Sequence, residues 1–432
     1  MKKNILVVDD SALMRRAICD IINSGNEYEA TDTCRDGLEA YDKIKKNSYD
    51  AVLLDINMPR MNGLELLQKL QKENIRATVV VVSSLAKEDA KITIQAMEYG
   101  AVDFITKPEN IVEAKGMQFR EDLTRLLNSV LPQMRTKPQT VLAAKQAVPA
   151  SAGKSSASVS AAAAAASSAV ATASAARASL STAARTAAAG AKTPATGGQT
   201  AAKPVSAANT ANNAAGAAAA PATGTAGNRT VPRKTAPAGG QKLIALACST
   251  GGPKSLQSVI PYLDKNMDAP MVLVQHMPMG FTKSMAERLN ELSKVQVKEA
   301  EENDILKKGW VYVAPGGAHL EVVAAKDGTH KIHLSDAPAI GGLRPCANVM
   351  YKSLKRTKYD EIVCVVLTGM GADGTEGIQD LNRSKPIYVI AQDEPTCVVY
   401  GMPKAIAEAG LTDEVVPLTN IPKRIINQVG VK

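Results

Sequence analysis

Two groups of residues in this chain have the types and spacing for chemistry. The first centres on Ser249, in the run KLIALACSTGGPKSL at 242–256. Apolar residues from Leu243 to Ala247 read as a short buried strand, the two glycines let the chain reverse, and Pro253 suits the first position of a helix. Ser249 then sits at a strand-to-helix corner, where free N–H groups and the positive helix end can stabilise an oxyanion. Serine is also a favoured helix cap, so the segment alone leaves nucleophile and cap equally open. A nucleophilic serine needs a base, and the chain has four histidines. His276 ends the apolar run MVLVQ and lies at the same kind of strand end. His319, after a Gly-Gly turn, is its rival. His330 and His333 are expected to share an exposed face of a hairpin strand. A carboxylate to orient the base is offered by Asp373, in TGMGADG after the run IVCVVL, with Asp393 as competitor and a helix cap as its plainer role. The glycines around Met370 would let its N–H serve as a second oxyanion donor. Cys248 precedes Ser249, and side chains alternate on a strand, so the two should point in opposite directions.

The second group lies near the N-terminus: Asp9 and Asp10 after ILVV, Asp55 after AVLL, Ser83 after TVVVV, and Lys107 after VDFIT. Three carboxylates converging at one sheet edge repel one another unless a hard divalent cation lies among them, which points to magnesium. An aspartate held there, flanked by a hydroxyl and an ammonium, can accept a phosphoryl group. Helix capping accounts for Asp10 but not for Lys107.

The elements that must position these groups can be read from the pattern. Near-continuous apolar runs alternating with amphipathic stretches (Leu64, Leu67, Leu70) imply parallel sheets covered on both faces, with sites at the strands' C-terminal ends. The pattern occurs twice, predicting an α/β chain of two doubly wound parallel-sheet domains, 1–134 and 241–432. In the second, strands are expected at 243–247, 271–275, 310–314, 362–367 and 387–391, with a hairpin around 318–334. Between the domains, 135–240 is rich in Ala, Ser, Thr, Gly and Pro and lacks the apolar residues a core requires, so it reads as a long disordered linker. As a flexible coil it would span on the order of 55 Å. The net charge of +9 belongs to this stretch, which from 137 to 240 holds ten Lys and Arg and no acid, leaving 41 basic against 42 acidic residues elsewhere. With few aromatic residues to stack on bases, a nucleic-acid partner is not expected. Weak peripheral association of the basic linker with an anionic membrane surface is an expectation, the solvated spacer being the plainer one. Six scattered cysteines without C-x-x-C spacing suggest buried thiols, and the absence of an apolar leader or a spanning segment suggests a cytoplasmic protein.

Residues 1–130 resemble response-regulator receiver domains, through DD, D-I-N-M-P-x-M-N-G-L, V-S-S and G-A-V-D-F-I-T-K-P. That resemblance implies a flavodoxin-like fold with Asp55 as phosphoacceptor. It makes Asp9, Asp10, Asp55 and the Asn57 carbonyl the Mg2+ ligands, Lys107 and Ser83 the phosphoryl contacts, and Phe104 the switch aromatic. Residues 243–410 resemble the catalytic domain of chemotaxis-type protein-glutamate methylesterases, through C-S-T-G-G-P, Q-H-M-P-x-x-F-T-x-S-x-A-x-R-L, A-P-G-G-x-H, L-R-P and L-T-G-M-G-x-D-G. This implies Ser249 as nucleophile, His276 as base, Asp373 as its orienting acid and the Met370 N–H as oxyanion donor, with no cofactor for hydrolysis. The implied substrates are glutamate γ-methyl esters and glutamines of methyl-accepting chemotaxis receptors, and the phosphodonor a chemotaxis histidine kinase. An adaptor with a structural serine and a small-molecule esterase are the competing classes. The linker is longer than usual in that family, and a tenfold lengthening weakens intramolecular docking by about thirtyfold, or roughly 2 kcal/mol.

Overall fold

The computed structural model describes residues 2–131 and 234–431. The linker expectation therefore falls almost wholly outside the described residues. The first part runs β1 (Lys3–Val8), α1 (Ala12–Asn23), β2 (Tyr28–Cys34), α2 (Gly37–Lys46), β3 (Ala51–Asp55), α3 (Gly63–Lys72), β4 (Val79–Ser83), α4 (Lys87–Glu98), β5 (Asp103–Thr106), α5 (Ile111–Ala114) and α6 (Met117–Val130). Its strands form one parallel sheet of order β2-β1-β3-β4-β5. The inner strands β3 and β4 are buried along their whole length, because helices cover both faces. Helix starts follow local chemistry: Ser11 caps α1, and Asn62 with Glu65 forms a capping box on α3. Only β2 escapes the apolar-run pattern, since YEATDTC is an edge strand whose burial alternates.

The second part runs β6 (Lys242–Cys248), α7 (Gly252–Val259), β7 (Met271–Gln275), α8 (Phe281–Leu292), β8 (Gln296–Glu299), β9 (Trp310–Val313), β10 (His319–Ala324), β11 (His330–Ser335), α9 (Ala347–Ser353), β12 (Glu361–Val366), α10 (Thr375–Ser384), β13 (Ile387–Gln392), α11 (Met402–Glu408), β14 (Glu414–Val416) and α12 (Ile421–Val429), with short 3-10 turns between some of them. Seven parallel strands pair in the order β14-β13-β12-β6-β7-β9-β8. β10 and β11 form the expected antiparallel hairpin. The short edge strands β8 and β14 and the helix α12 go unmarked in the apolar pattern. The expectation for the two hairpin histidines is corrected: His330 is buried against Tyr359 and His333 is exposed. Three residues apart on a strand is an odd number, which puts them on opposite faces.

The five- and seven-stranded sheets each carry one apolar cluster on each face, and the described parts pack together as one unit. Ala90 and Ile94 of α4 belong to the apolar cluster that covers one face of the seven-stranded sheet. No helix among the described residues is long and apolar enough to cross a membrane.

Candidate active site

The larger sheet reverses its winding at β6, with β12 on one side and β7 on the other. Open parallel sheets form their crevice beyond the strand ends at such a point, and Ser249 lies there. Cys248 pairs with Gln275, so Ser249 and His276 are the next residues on adjacent strands. The His276 N–H donates to the Cys248 carbonyl at 3.2 Å. On the other side the Ser249 N–H donates to the Thr368 carbonyl at 3.0 Å. A Cβ on Gly369 would stand 2.9 Å from the Ser249 Cβ, so only glycine lets this loop lie against the serine. The cap reading of Ser249 does not hold: the residue flanking α7 is Gly251, at φ +76°, and no side chain caps that helix.

His276 places Nε2 2.8 Å from Asp373 Oδ2. Asp373 is no cap of its own helix either, since Gly374 precedes α10. Its carboxylate instead accepts the first N–H groups of α9, from Ala347 at 2.6 Å and Asn348 at 2.9 Å, and the Cys346 thiol at 3.2 Å. Burial would raise its pKa, but the His276 ring and these N–H groups outweigh it and lower the carboxyl to about 2. An ionised carboxylate only accepts, so Nε2 carries the imidazole proton and Nδ1 is left to take one. Ser249 makes no hydrogen bond to His276 in this arrangement, and catalytic bonds of this kind commonly tighten only when substrate is present. Asn348 Oδ1 in turn accepts from Gly374 and Gly377, which fixes the segment carrying Asp373. The Met370 N–H has no hydrogen-bond partner among the described residues.

The competitors do not reach this point. His319 is buried with Nε2 on the Pro338 carbonyl, and the Asp393 carboxylate accepts from the Thr396 hydroxyl beside a 3-10 turn. Cys248 is fully buried with its sulfur on Gln275 Oε1 at 3.0 Å, and burial pushes the thiol far above its usual range. It is therefore no rival nucleophile. Sequence reasoning quoted Gln275 and Thr368 within its motifs but gave no role to either of these buried residues, nor to the half-buried Asn348.

In the smaller sheet, carboxylate oxygens of Asp9, Asp10 and Asp55 lie within 4.8 Å of one another. Lys107 Nζ bridges Asp55 at 2.6 Å and Asp9 at 2.8 Å. Burial, with Asp9 alongside, raises the Asp55 carboxyl to about 6 despite the lysine. One ammonium thus leaves the cluster under-neutralised, and the all-oxygen donor set fits a hard divalent cation. Ser83 is buried and accepts from Thr93 at 2.6 Å.

This smaller domain reaches the serine corner. Phe104 stacks on Phe281, five residues beyond His276, with ring centroids 4.5 Å apart. Asp103 accepts from the Thr250 hydroxyl and the Gly251 N–H, and burial raises its carboxyl to about 7 against those bonds. The proton thereby taken up makes its contribution to the stability of the folded chain fully present below its ordinary value of 3.8 and lost as pH rises through 7. At α8, Arg288 holds Glu98 through two bonds of 2.6 and 2.9 Å, and Lys91 pairs with Glu287. Asn128, Ser129 and Val130 of α6 face Met370 and Tyr400 across a cleft of about 430 Å³.

A five-stranded sheet of this order with an acid–lysine cluster at its strand ends, packed on a second sheet bearing a Ser-His-Asp constellation, defines a response regulator with a hydrolase effector. The family model for the response regulator receiver domain matches residues 5–116, and that for CheB methylesterase matches 244–425. The protein-glutamate methylesterase/protein-glutamine glutaminase of Pyrococcus abyssi is 34% identical over 435 residues, covering 99% of this chain and 94% of that protein. Its counterparts from Syntrophomonas wolfei (32% over 437 residues; 99% of each chain) and Pyrococcus horikoshii (34% over 437 residues; 100% and 94%) are similar to the same extent. The chain belongs to the protein-glutamate methylesterase/protein-glutamine glutaminase family.

Proposed function

We propose that this protein is a cytoplasmic, phosphorylation-activated serine hydrolase that demethylates glutamate γ-methyl esters, and deamidates glutamines, on methyl-accepting chemotaxis receptors. The observation that carries it is the convergence of Ser249, His276 and Asp373 on the ends of three adjacent strands. Ser249 Oγ attacks the ester carbonyl while His276 Nδ1 takes its proton, and the Met370 N–H faces the developing oxyanion. The tetrahedral adduct collapses, methanol leaves with the proton from His276, and a serine ester of the glutamyl group remains. Water, deprotonated by the same nitrogen, hydrolyses that ester to glutamate and restores Ser249. With glutamine, ammonia leaves in place of methanol. Asp373 holds the ring and stabilises its cationic form throughout. Methanol release from methylated receptor membranes tests the reading, and no release above the rate without enzyme would refute it.

Control is assigned to the smaller domain. Asp9, Asp10, Asp55 and the Asn57 carbonyl would hold Mg2+, which supplies charge neutralisation for phosphoryl transfer from a chemotaxis histidine kinase. Asp55 is the acceptor, with Lys107 and Ser83 contacting the phosphoryl group and Phe104 reporting its presence to Phe281. Asp55→Asn is expected to abolish stimulation by acetyl phosphate with magnesium while leaving the basal rate unchanged, because Asp55 touches no residue of the triad. Stimulation equal to wild type would exclude Asp55.

Docking of this domain over the serine corner is the inhibited state, and its interface opposes the entropic weakening expected from a long linker. The Glu98–Arg288 pair is about a quarter exposed and doubly hydrogen-bonded. Charge-assisted bonds of this kind contribute about 1.5–3 kcal/mol, or roughly tenfold or more in the docking equilibrium. Arg288→Glu should raise the unphosphorylated rate about tenfold, and adding Glu98→Arg should restore inhibition. A single variant as inhibited as wild type would remove the interface from control.

A further inference from the structure

One buried side chain ties the strand end that carries the base to the strand end that carries the nucleophile. Gln275 is the last residue of β7, 2% exposed, and pairs across the ladder with Cys248. The His276 N–H on the Cys248 carbonyl closes the main-chain ladder; beyond it the two chains part, β6 turning into α7 and β7 running on towards Pro278, and no main-chain bond joins Ser249 to His276. Gln275 Nε2 donates to the Ser249 carbonyl at 3.1 Å and to the His276 carbonyl at 3.1 Å. Its Oε1 accepts from the Cys248 thiol. Both amide N–H groups are thus used on the carbonyls of the two residues that must exchange a proton. A Cβ at Gly252 would overlap Oε1, so the second glycine of the S-T-G-G turn is the space in which this amide lies.

We propose that Gln275 is a positioning residue for catalysis, holding Ser249 and His276 at the spacing proton transfer requires. The chemistry demands an amide: two carbonyls on different strands need a neutral group with two N–H donors in one plane. A carboxylate would repel both of them, and an ammonium would be buried without a counter-charge. The inference rests on Ser249 acting as a nucleophile, and a misplacement of about 1 Å at such a site can lower a rate on the order of a hundredfold.

The test is the rate at which a fluorophosphonate labels Ser249 in the full chain, with acetyl phosphate and magnesium in every sample. It needs no receptor: labelling of wild type tests the nucleophile, and the ratio of variant to wild type tests Gln275. Gln275→Glu is expected to lower the maximal labelling rate about a hundredfold at pH 8 with the half-saturating probe concentration unchanged. As the pH is lowered towards 6, the ratio should rise, because a protonated carboxyl regains one O–H donor. Gln275→Met, close in size and without donors, should show a similar loss with no recovery. The Ser249 carbonyl keeps its 2.7 Å bond from the Gly252 N–H in both variants, so the corner retains support, and Asp55 phosphorylation with a melting curve monitors folding. Wild-type rates in both folded variants would overturn the proposal. So would equal, pH-independent losses that follow melting temperature alone, or a change confined to probe affinity.

Discussion

Ser249→Ala is expected to reduce methanol release by about 10⁴ to 10⁶-fold while leaving the melting temperature within a few degrees of wild type. Removing the attacking atom of a cooperating triad costs about as much as removing the whole unit. The fold has little reason to respond, because the hydrogen bonds Ser249 makes among the described residues are through its main chain: N–H to Thr368, carbonyl from Gly252 and from Gln275 Nε2. Alanine preserves all three. Loss of fluorophosphonate labelling should accompany the loss of turnover. A folded variant with wild-type turnover would end the nucleophile assignment and favour an adaptor role for this domain.

Asp373→Asn should be nearly as damaging, about 10² to 10⁴-fold in kcat with a smaller effect on KM. The carboxylate now accepts the His276 Nε2–H and the N–H groups of Ala347 and Asn348. An amide nitrogen in its place would meet donors with a donor. An amide nitrogen at the Oδ2 position donates to Nε2 and so puts the imidazole proton on Nδ1, the nitrogen that must receive the serine proton, while opposing the Ala347 N–H; at the Oδ1 position it opposes the Asn348 N–H. Either placement costs the site its base or its hold on α9. The pH–rate profile gives the check: the variant should be low at every pH. A variant retaining more than a tenth of wild-type kcat would mean that Asp373 does not orient His276.

Most of the architecture was legible because buried parallel strands are apolar along their length. AVLL, TVVVV, MVLVQ and IVCVVL are all strands as read, and the polar residues directly after them mark the sheet edge where chemistry collects. The elements passed over, β2, β8, β14 and α12, include the sheet-edge strands, where one-sided burial leaves no continuous apolar run. His330 and His333 were misjudged by counting spacing without counting parity.

What the sequence by itself determined is the set of reactive groups and the strand ends that bear them, since these follow from local pattern: Ser249, His276 and Asp373 in one domain, Asp9, Asp10, Asp55 and Lys107 in the other. The choice between each group and its rivals was decided by tertiary structure alone. Ser249 is free of capping because Gly251 flanks the helix, and Asp373 meets His276 because a helix from elsewhere in the chain, α9, fixes its carboxylate. Asp393 and His319 have equally suitable surroundings in sequence but face other partners. The same holds for Glu98, an ordinary polar residue in sequence, and for Gln275 and Arg288, which stand in a quoted motif but were given no role there. Their roles arise from neighbours 26 to 190 positions away, which only strand order and domain packing bring together.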